Sequence, residues 1–218
     1  MKEKVSVRWL ACMAMFIALS YAAVQLTKGI PNIQGYLSYE PKDVIIVIAG
    51  FIFGPISCVI ISVLCSLLEF VTTSETGIIG FIMNVVSTCA FAVPAAWIYS
   101  KNRTQKGALL SLVVGVLSMA VCMVAWNYII TPIYTKMDRS VVAGMLATVF
   151  LPFNLVKGGL NAALVMLLYK PVVGALRRMG LVAPSTGGKS RFSLAFTVFA
   201  LFILATFVLL FLAMAGKL

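Results

Sequence analysis

The stretch "VIIVIAGFIFGPISCVIISVLCSLL", Val44 to Leu68, decides how this chain is laid out. It is apolar throughout and long enough to cross a bilayer once. Gly54-Pro55 interrupts it. Proline lacks an N–H and clashes with the preceding turn, so it kinks or ends a helix. Either Val44–Leu68 is one kinked span, or two helices meet at a tight turn. On the second reading Val44–Phe53 rises only about 15 Å. That is half of the roughly 30 Å hydrocarbon core, which makes it a short, tilted or half-buried element.

Charge chooses between the two. Working outward, the apolar runs are Trp9–Thr27, Ile78–Tyr99, Ala108 to about Ile130, Leu151–Tyr169 and Phe192–Ala215. With a turn at Gly54-Pro55, three basic segments fall on one side: the leader "MKEKVSVR", the loop Ser100–Gly107 and the stretch Lys170–Arg191. They carry 3, 3 and 5 Lys or Arg. The other side mixes Lys28, Lys42, Lys136, Arg139 and Lys217 with Glu40, Asp43, Glu75 and Asp138. Cytoplasmic loops collect basic residues, so the break reads as a turn and the N-terminus as cytoplasmic.

Composition agrees. The chain is 62% hydrophobic and 11% charged, against about 25% charged in an average soluble domain. Runs such as "FVLLFLAMAG" do not alternate, which excludes a transmembrane β-barrel. The fold class expected is an all-α polytopic membrane protein. The formal charge of +11 is explained by topology, so no nucleic-acid partner is expected. "SYA" ending at Ala22 has the form of a signal cleavage site, but the spans that follow need no cleaved leader. Cys12, Cys58, Cys65, Cys89 and Cys122 lie inside apolar runs without CxxC spacing. They read as small hydrophobes rather than a zinc site or a disulfide framework, and there is no His.

Within this apolar background a few polar residues stand out. The span "LPFNLVKGGLNAALVMLLYK" carries Asn154, Lys157 and Asn161. An ionisable group within a span costs on the order of 2.5–3.5 kcal/mol on insertion scales unless it faces a partner or a cavity. Asn154 and Lys157, three apart, share a helix face. Lys157 could instead snorkel outward or pair with Glu69. "WNYIITPIY" places Asn127, Tyr128, Thr131 and Tyr134 around the end of the preceding span. "GYLSYEPKD" brings Tyr36, Tyr39, Glu40 and Asp43 to the same side. Amides, a cation, carboxylates and aromatics converging there suit a flat, heteroaromatic, hydroxylated ligand. For a single Tyr, an interfacial aromatic belt is the competing explanation.

Catalytic signatures are missing: no HExxH, no nucleophile elbow, no intramembrane carboxylate pair at helical spacing. "APSTGGKS", Ala183–Ser190, falls one glycine short of a phosphate-binding loop and does not link a strand to a helix. "NRT" at Asn102–Thr104 lies on the side assigned to the cytoplasm. Ala14, Ala18 and Ala22, spaced by four, form a small-residue stripe where another helix can approach closely, within this chain or on a partner.

The succession "YEPKDVIIVIAGFIFGP", "TTSETGIIGFIMNVV", "AVPAAWIYSKNRTQKGALLSLVVG", "WNYIITPIY" and "LPFNLVKGGLNAALVMLLYKP" resembles the riboflavin-specific substrate-binding (S) components of energy-coupling factor (ECF) vitamin transporters, over about residues 8 to 175. The resemblance implies a six-helix bundle with a vitamin site, lidded by the loop between the first two helices. It implies riboflavin as transported ligand with no cofactor or metal. It further implies a membrane-embedded coupling protein and two cytoplasmic ATPases as partners. Asn127, Asn154 and Lys157 match the family's motif positions, Glu40 lies in the lid segment, and Tyr39, Asp43, Tyr128, Thr131 and Tyr134 are pocket or lid candidates. The Ala14/Ala18/Ala22 stripe matches the family's docking motif for the coupling subunit.

The expected organisation is therefore a binding domain over residues 1–175, a basic linker over 176–191, and an additional span over 192–218 that a typical family member lacks. The rival readings are another vitamin, such as thiamine or biotin, or an intramembrane enzyme or ion channel built on Lys157 and Glu69.

Overall fold

A computed structural model describes residues 6–28, 37–73, 77–182 and 194–217, and these are helical apart from short connections. The elements are α1 (Val7–Thr27), α2 (Lys42–Phe53), α3 (Pro55–Thr73), α4 (Gly77–Lys101), α5 (Gln105–Thr135), α6 (Arg139–Met145), a π-helical turn at Leu146–Phe150, α7 (Leu151–Arg178) and α8 (Leu194–Met214). Six helical stretches are long and apolar enough to cross a membrane, with α6, the π turn and α7 forming one of them. The short α2 makes a seventh element. The fold is the helical bundle that the sequence leads one to expect.

Gly54-Pro55 is a turn between two helices. Gly54 adopts φ +93° and its N–H caps the Gly50 carbonyl, while the Ser57 hydroxyl donates back to the Gly54 carbonyl at 2.5 Å. A positive φ of this kind is available to glycine without a Cβ penalty. At about 18 Å, α2 is too short to span, yet most of it is buried. It sits as an inner stave against α1, α3, α4 and α7. Gly50 makes that packing possible: a Cβ there would lie 2.2 Å from Cys58 Sγ and 2.9 Å from Ala96 Cβ. Cys58 in turn contacts the Ile46 and Ala92 carbonyls, filling the contact among α2, α3 and α4.

Two boundaries differ from expectation. α5 continues past Ile130 to Thr135, through Pro132. A proline inside a helix removes one i→i−4 bond, a loss that a membrane helix tolerates when neighbours satisfy the freed carbonyl. α7 likewise passes through Pro171 to Arg178, so Lys170, Arg177 and Arg178 belong to helix rather than linker. Arg177 and Arg178 in the last turn also complement the helix dipole. The loop residues Pro31 to Tyr36, Glu75 and the remaining linker residues 183–191 lie outside the described residues.

α1 buries Cys12, Met13, Phe16, Ser20 and Val24 against the bundle and turns Ala14, Ala18 and Ala22 outward. The alanine stripe is thus an exposed face and takes no part in packing within the chain. α8 is the least embedded span, burying only Ala200 and Phe211.

Replacing Gly50 with Leu should separate α2 from α3 and α4. Overpacking costs about 1–3 kcal/mol, so the unfolding temperature in detergent is expected to fall by several degrees, whereas Gly174→Leu, with open space around it, should leave it unchanged.

Candidate functional site

Three consecutive positions of α7 point in three directions, because successive helical residues turn by about 100°. Gly158 faces α5, where a Cβ would press on Val116 and Met119. Gly159 faces α8, where a Cβ would lie 2.3 Å from the Phe207 ring. Lys157 faces the interior. The two glycines bring flanking helices close, and the lysine between them and Asn154 is left in the cleft bounded by α2 and the segment before it.

There Lys157 meets two carboxylates, Glu40 at 3.3 Å and Asp43 at 3.9 Å. One helical turn further on, fully buried Asn161 bridges Asp43 to an aromatic: its Nδ2 donates to Asp43 Oδ2 at 3.3 Å and its Oδ1 accepts from the Tyr39 hydroxyl at 2.9 Å. The other Asp43 oxygen accepts from the Thr88 hydroxyl of α4 at 2.7 Å. Asp43 lies in the first turn of α2, where the helix dipole favours an anion.

A second ammonium extends the cluster. Lys42, at 0% exposure, donates to both Glu69 oxygens at 2.8 Å and lies 3.4 Å from Glu40. Glu69 also accepts from Asn84 at 3.2 Å and Cys65 at 3.3 Å. Glu40 thus sits between two lysines and joins the α3–α4 side to the α7 side. Buried ions must be paired and hydrogen-bonded to be tolerated, and these five are. Burial alone would raise the Glu40 carboxyl, but the Lys42 and Lys157 charges outweigh it and hold it at about 2, below its ordinary 4.5.

The remaining candidates are placed differently. Asn127 is buried, donating to the Met123 carbonyl at 2.7 Å and accepting from the Thr131 hydroxyl at 2.9 Å. Asn154 is buried and donates to the Phe150 carbonyl, in the π-helical turn, at 2.7 Å. Both amides line the interior but are tied to their own helical stretches, apart from the ion cluster. Tyr128 and Tyr134 are exposed on α5, with the Arg139 guanidinium 5.9 Å over the Tyr128 ring. Lys157 does not pair with Glu69, which Lys42 occupies instead.

The fold around this cluster has known counterparts. The model of the family "ECF transporter, substrate-specific component" matches residues 8–169. The chain belongs to this family. Among the relatives of this substrate-specific component is the protein named riboflavin transporter FmnP of Bacillus subtilis (strain 168). It is 28% identical over 166 residues, covering 70% of this chain and 85% of that protein. Another, named riboflavin transporter RibU, from Staphylococcus aureus (strain TCH60), is 25% identical over 176 residues and covers 78% and 93%. The solved S component of a bacterial ECF transporter superposes with a TM-score of 0.66 at 25% identity, covering 78% of this chain and 97% of that one. The expected multi-pass membrane transport protein is therefore the correct class.

Sequence reasoning missed Lys42, Asn84 and Thr88 as members of the cluster, and singled out Asn161 in its span without assigning it to the site. Asn161 had a usable signal, lying four residues after Lys157 on the same face. Lys42 reads as a loop residue beside a proline, and nothing in its neighbours announces complete burial.

Removing Lys42 should show that the cluster is a unit. Breaking a buried pair costs about 3–5 kcal/mol by leaving an unpaired charge. Lys42→Met should therefore lower the unfolding temperature in detergent more than the double variant Lys42→Met/Glu69→Gln does. Acid gives a second readout. Ionised Glu40 supports the fold above its unfolded value of 4.5, and that support fades as pH falls toward 2. The difference in unfolding temperature between wild type and Glu40→Gln should be constant from pH 5 to 8 and shrink only below about 4.5.

Proposed function

We propose that this chain is the riboflavin-binding subunit of an ECF-type importer, which captures the vitamin from outside and hands it inward with an ATP-driven coupling module. The observation that carries the reading is the pair of buried polar side chains of α7, Lys157 and Asn161, set against Glu40 and Asp43 in a chain whose relatives are named riboflavin transporters.

The chemistry suits the ligand. Riboflavin joins a flat ring system with imide-like donors and acceptors to a polyhydroxylated chain. An ammonium donates to a carbonyl or hydroxyl, carboxylates accept from hydroxyls, and an amide offers two donors and an acceptor. Asn127 and Asn154 each have an amide N–H beyond the bond to their own helix, which would meet the ring's polar edge. Tyr39 and Glu40, in the segment leading into α2, would close over the ligand. Burial of this kind supports micromolar to nanomolar affinity, roughly −8 to −12 kcal/mol.

The same reading assigns the surroundings. The concentration of Lys and Arg in the leader, in residues 100–107 and in residues 170–191 supports a cytoplasmic N-terminus by the positive-inside rule. The outward alanine stripe of α1 is the surface for a membrane-embedded coupling protein, which two cytoplasmic ATPases would drive. The chain then works by binding and not by catalysis.

The test is an absorbance and mass spectrum of the purified, detergent-solubilised protein. Flavin bands, or quenching of added riboflavin fluorescence at a one-to-one endpoint, are expected; a colourless preparation that ignores riboflavin but binds thiamine or biotin would overturn the choice of ligand. Lys157→Met removes a charge-assisted hydrogen bond worth about 1.5–3 kcal/mol. It should weaken riboflavin binding by roughly 10- to 150-fold.

A further inference from the structure

α8 lies beyond the part of the chain that the family model covers, which ends at residue 169. It is apolar along its whole length and carries no charge of its own. More than half of its residues are exposed and it packs mainly on α7; an inert anchor would need no particular register against the other helices. Its register is nevertheless specific at two points.

The first is Phe207, seated on Gly159, where even one methyl group would collide with the ring. The second is Phe211, among the few buried residues of the helix, whose ring meets the Tyr39 ring edge-on at 5.9 Å and 63°. Leu204, Phe207, Phe211, Met214 and Ala215 share one apolar cluster with Leu37, Tyr39 and Phe153. One face of α8, in its last three turns, therefore holds the segment that precedes α2.

That segment is polar at its other edge. Tyr39 presents one side to Phe211 and its hydroxyl to Asn161, whose amide then bonds Asp43. A relay runs from α8 through one aromatic ring into the ion cluster. Tyr39 has a half-buried ring between two fixed neighbours. Without Phe211 the Tyr39 ring would regain rotamer freedom, and its hydrogen bond, the contact that orients the Asn161 oxygen, would be weakened.

We propose that α8 is a brace for the ligand-covering segment, with Phe211 as a positioning residue that slows ligand escape by fixing Tyr39 and, through it, Asn161. Phe207 in the Gly159 notch sets the height of α8 so that Phe211 meets Tyr39. The inference rests on riboflavin as the ligand. Phe211 acts through Tyr39 and needs no contact with the vitamin.

The experiment follows riboflavin dissociation from the full-length protein by stopped-flow fluorescence in detergent or nanodiscs. Phe211→Ala should speed dissociation roughly 3- to 10-fold, the scale of one lost aromatic pair, with little change in the association rate. Phe202→Ala, on the exposed face of the same helix, should leave both rates unchanged. Phe211→Leu, which keeps apolar volume but not the ring edge, should fall between wild type and Phe211→Ala and covers the case in which the alanine variant does not fold. In a Tyr39→Ala background the Phe211→Ala change should have no further effect, whereas a merely structural role would give effects that multiply.

If wild type binds riboflavin and Phe211→Ala and Phe211→Leu both dissociate at the wild-type rate, the brace is wrong and the functional reading stands. Multiplying effects in the double variant would also overturn it. If wild type does not bind riboflavin at all, the functional reading fails and the inference with it.

Discussion

Five ionisable side chains in an apolar bundle set the terms for everything around them. None of Glu40, Lys42, Asp43, Glu69 and Lys157 is well hydrated, and an isolated ion in such surroundings would be prohibitively costly. Each must therefore be met by another, and the helices that carry them are held in register by that requirement. α2 brings Lys42 and Asp43, α3 brings Glu69, α4 brings Thr88 and Asn84, and α7 brings Lys157 and Asn161. Apolar packing alone would let these helices slide, since lipid is as good a neighbour as leucine. The polar contacts define one arrangement.

Glycine supplies the complementary constraint. Gly50 lets α2 sink between α3 and α4, while Gly158 and Gly159 let α5 and α8 close on α7. Close approach and charge pairing reinforce one another. Without the close approach Lys157 could not reach the carboxylates across the cleft, and without the charges there would be little reason for a 12-residue helix, too short to span, to be buried at all.

How much of this could be read from the residues alone follows from what each residue must do. The turn at Gly54 was legible because a glycine-proline pair has few other uses in an apolar run, and charge asymmetry chose between the alternatives it left. Lys157, Asp43 and Glu40 were legible because a charge in or beside a span demands an explanation. Lys42 and Asn161 were not assigned to the site, since partnership is a property of three-dimensional approach and neither residue names its partner. The end of α5, expected at about Ile130, lies five residues further on at Thr135. Within the bundle α5 passes through Pro132 without ending there. The two asparagines chosen for the site are interior as expected, though their described bonds go to their own helical stretches.

The balance of charge within the cluster carries a consequence for what it admits. Three carboxylates face two ammonium groups, so the formal sum is one negative and no cation is left over. An anion brought beside Glu40 and Asp43 would meet like charge. At an effective dielectric of about 20, each such pair at about 6 Å is unfavourable by roughly 3 kcal/mol. The two ammonium groups offset two of the three carboxylates, so the net field of the cluster is weakly negative and favours a neutral polar neighbour over an anion.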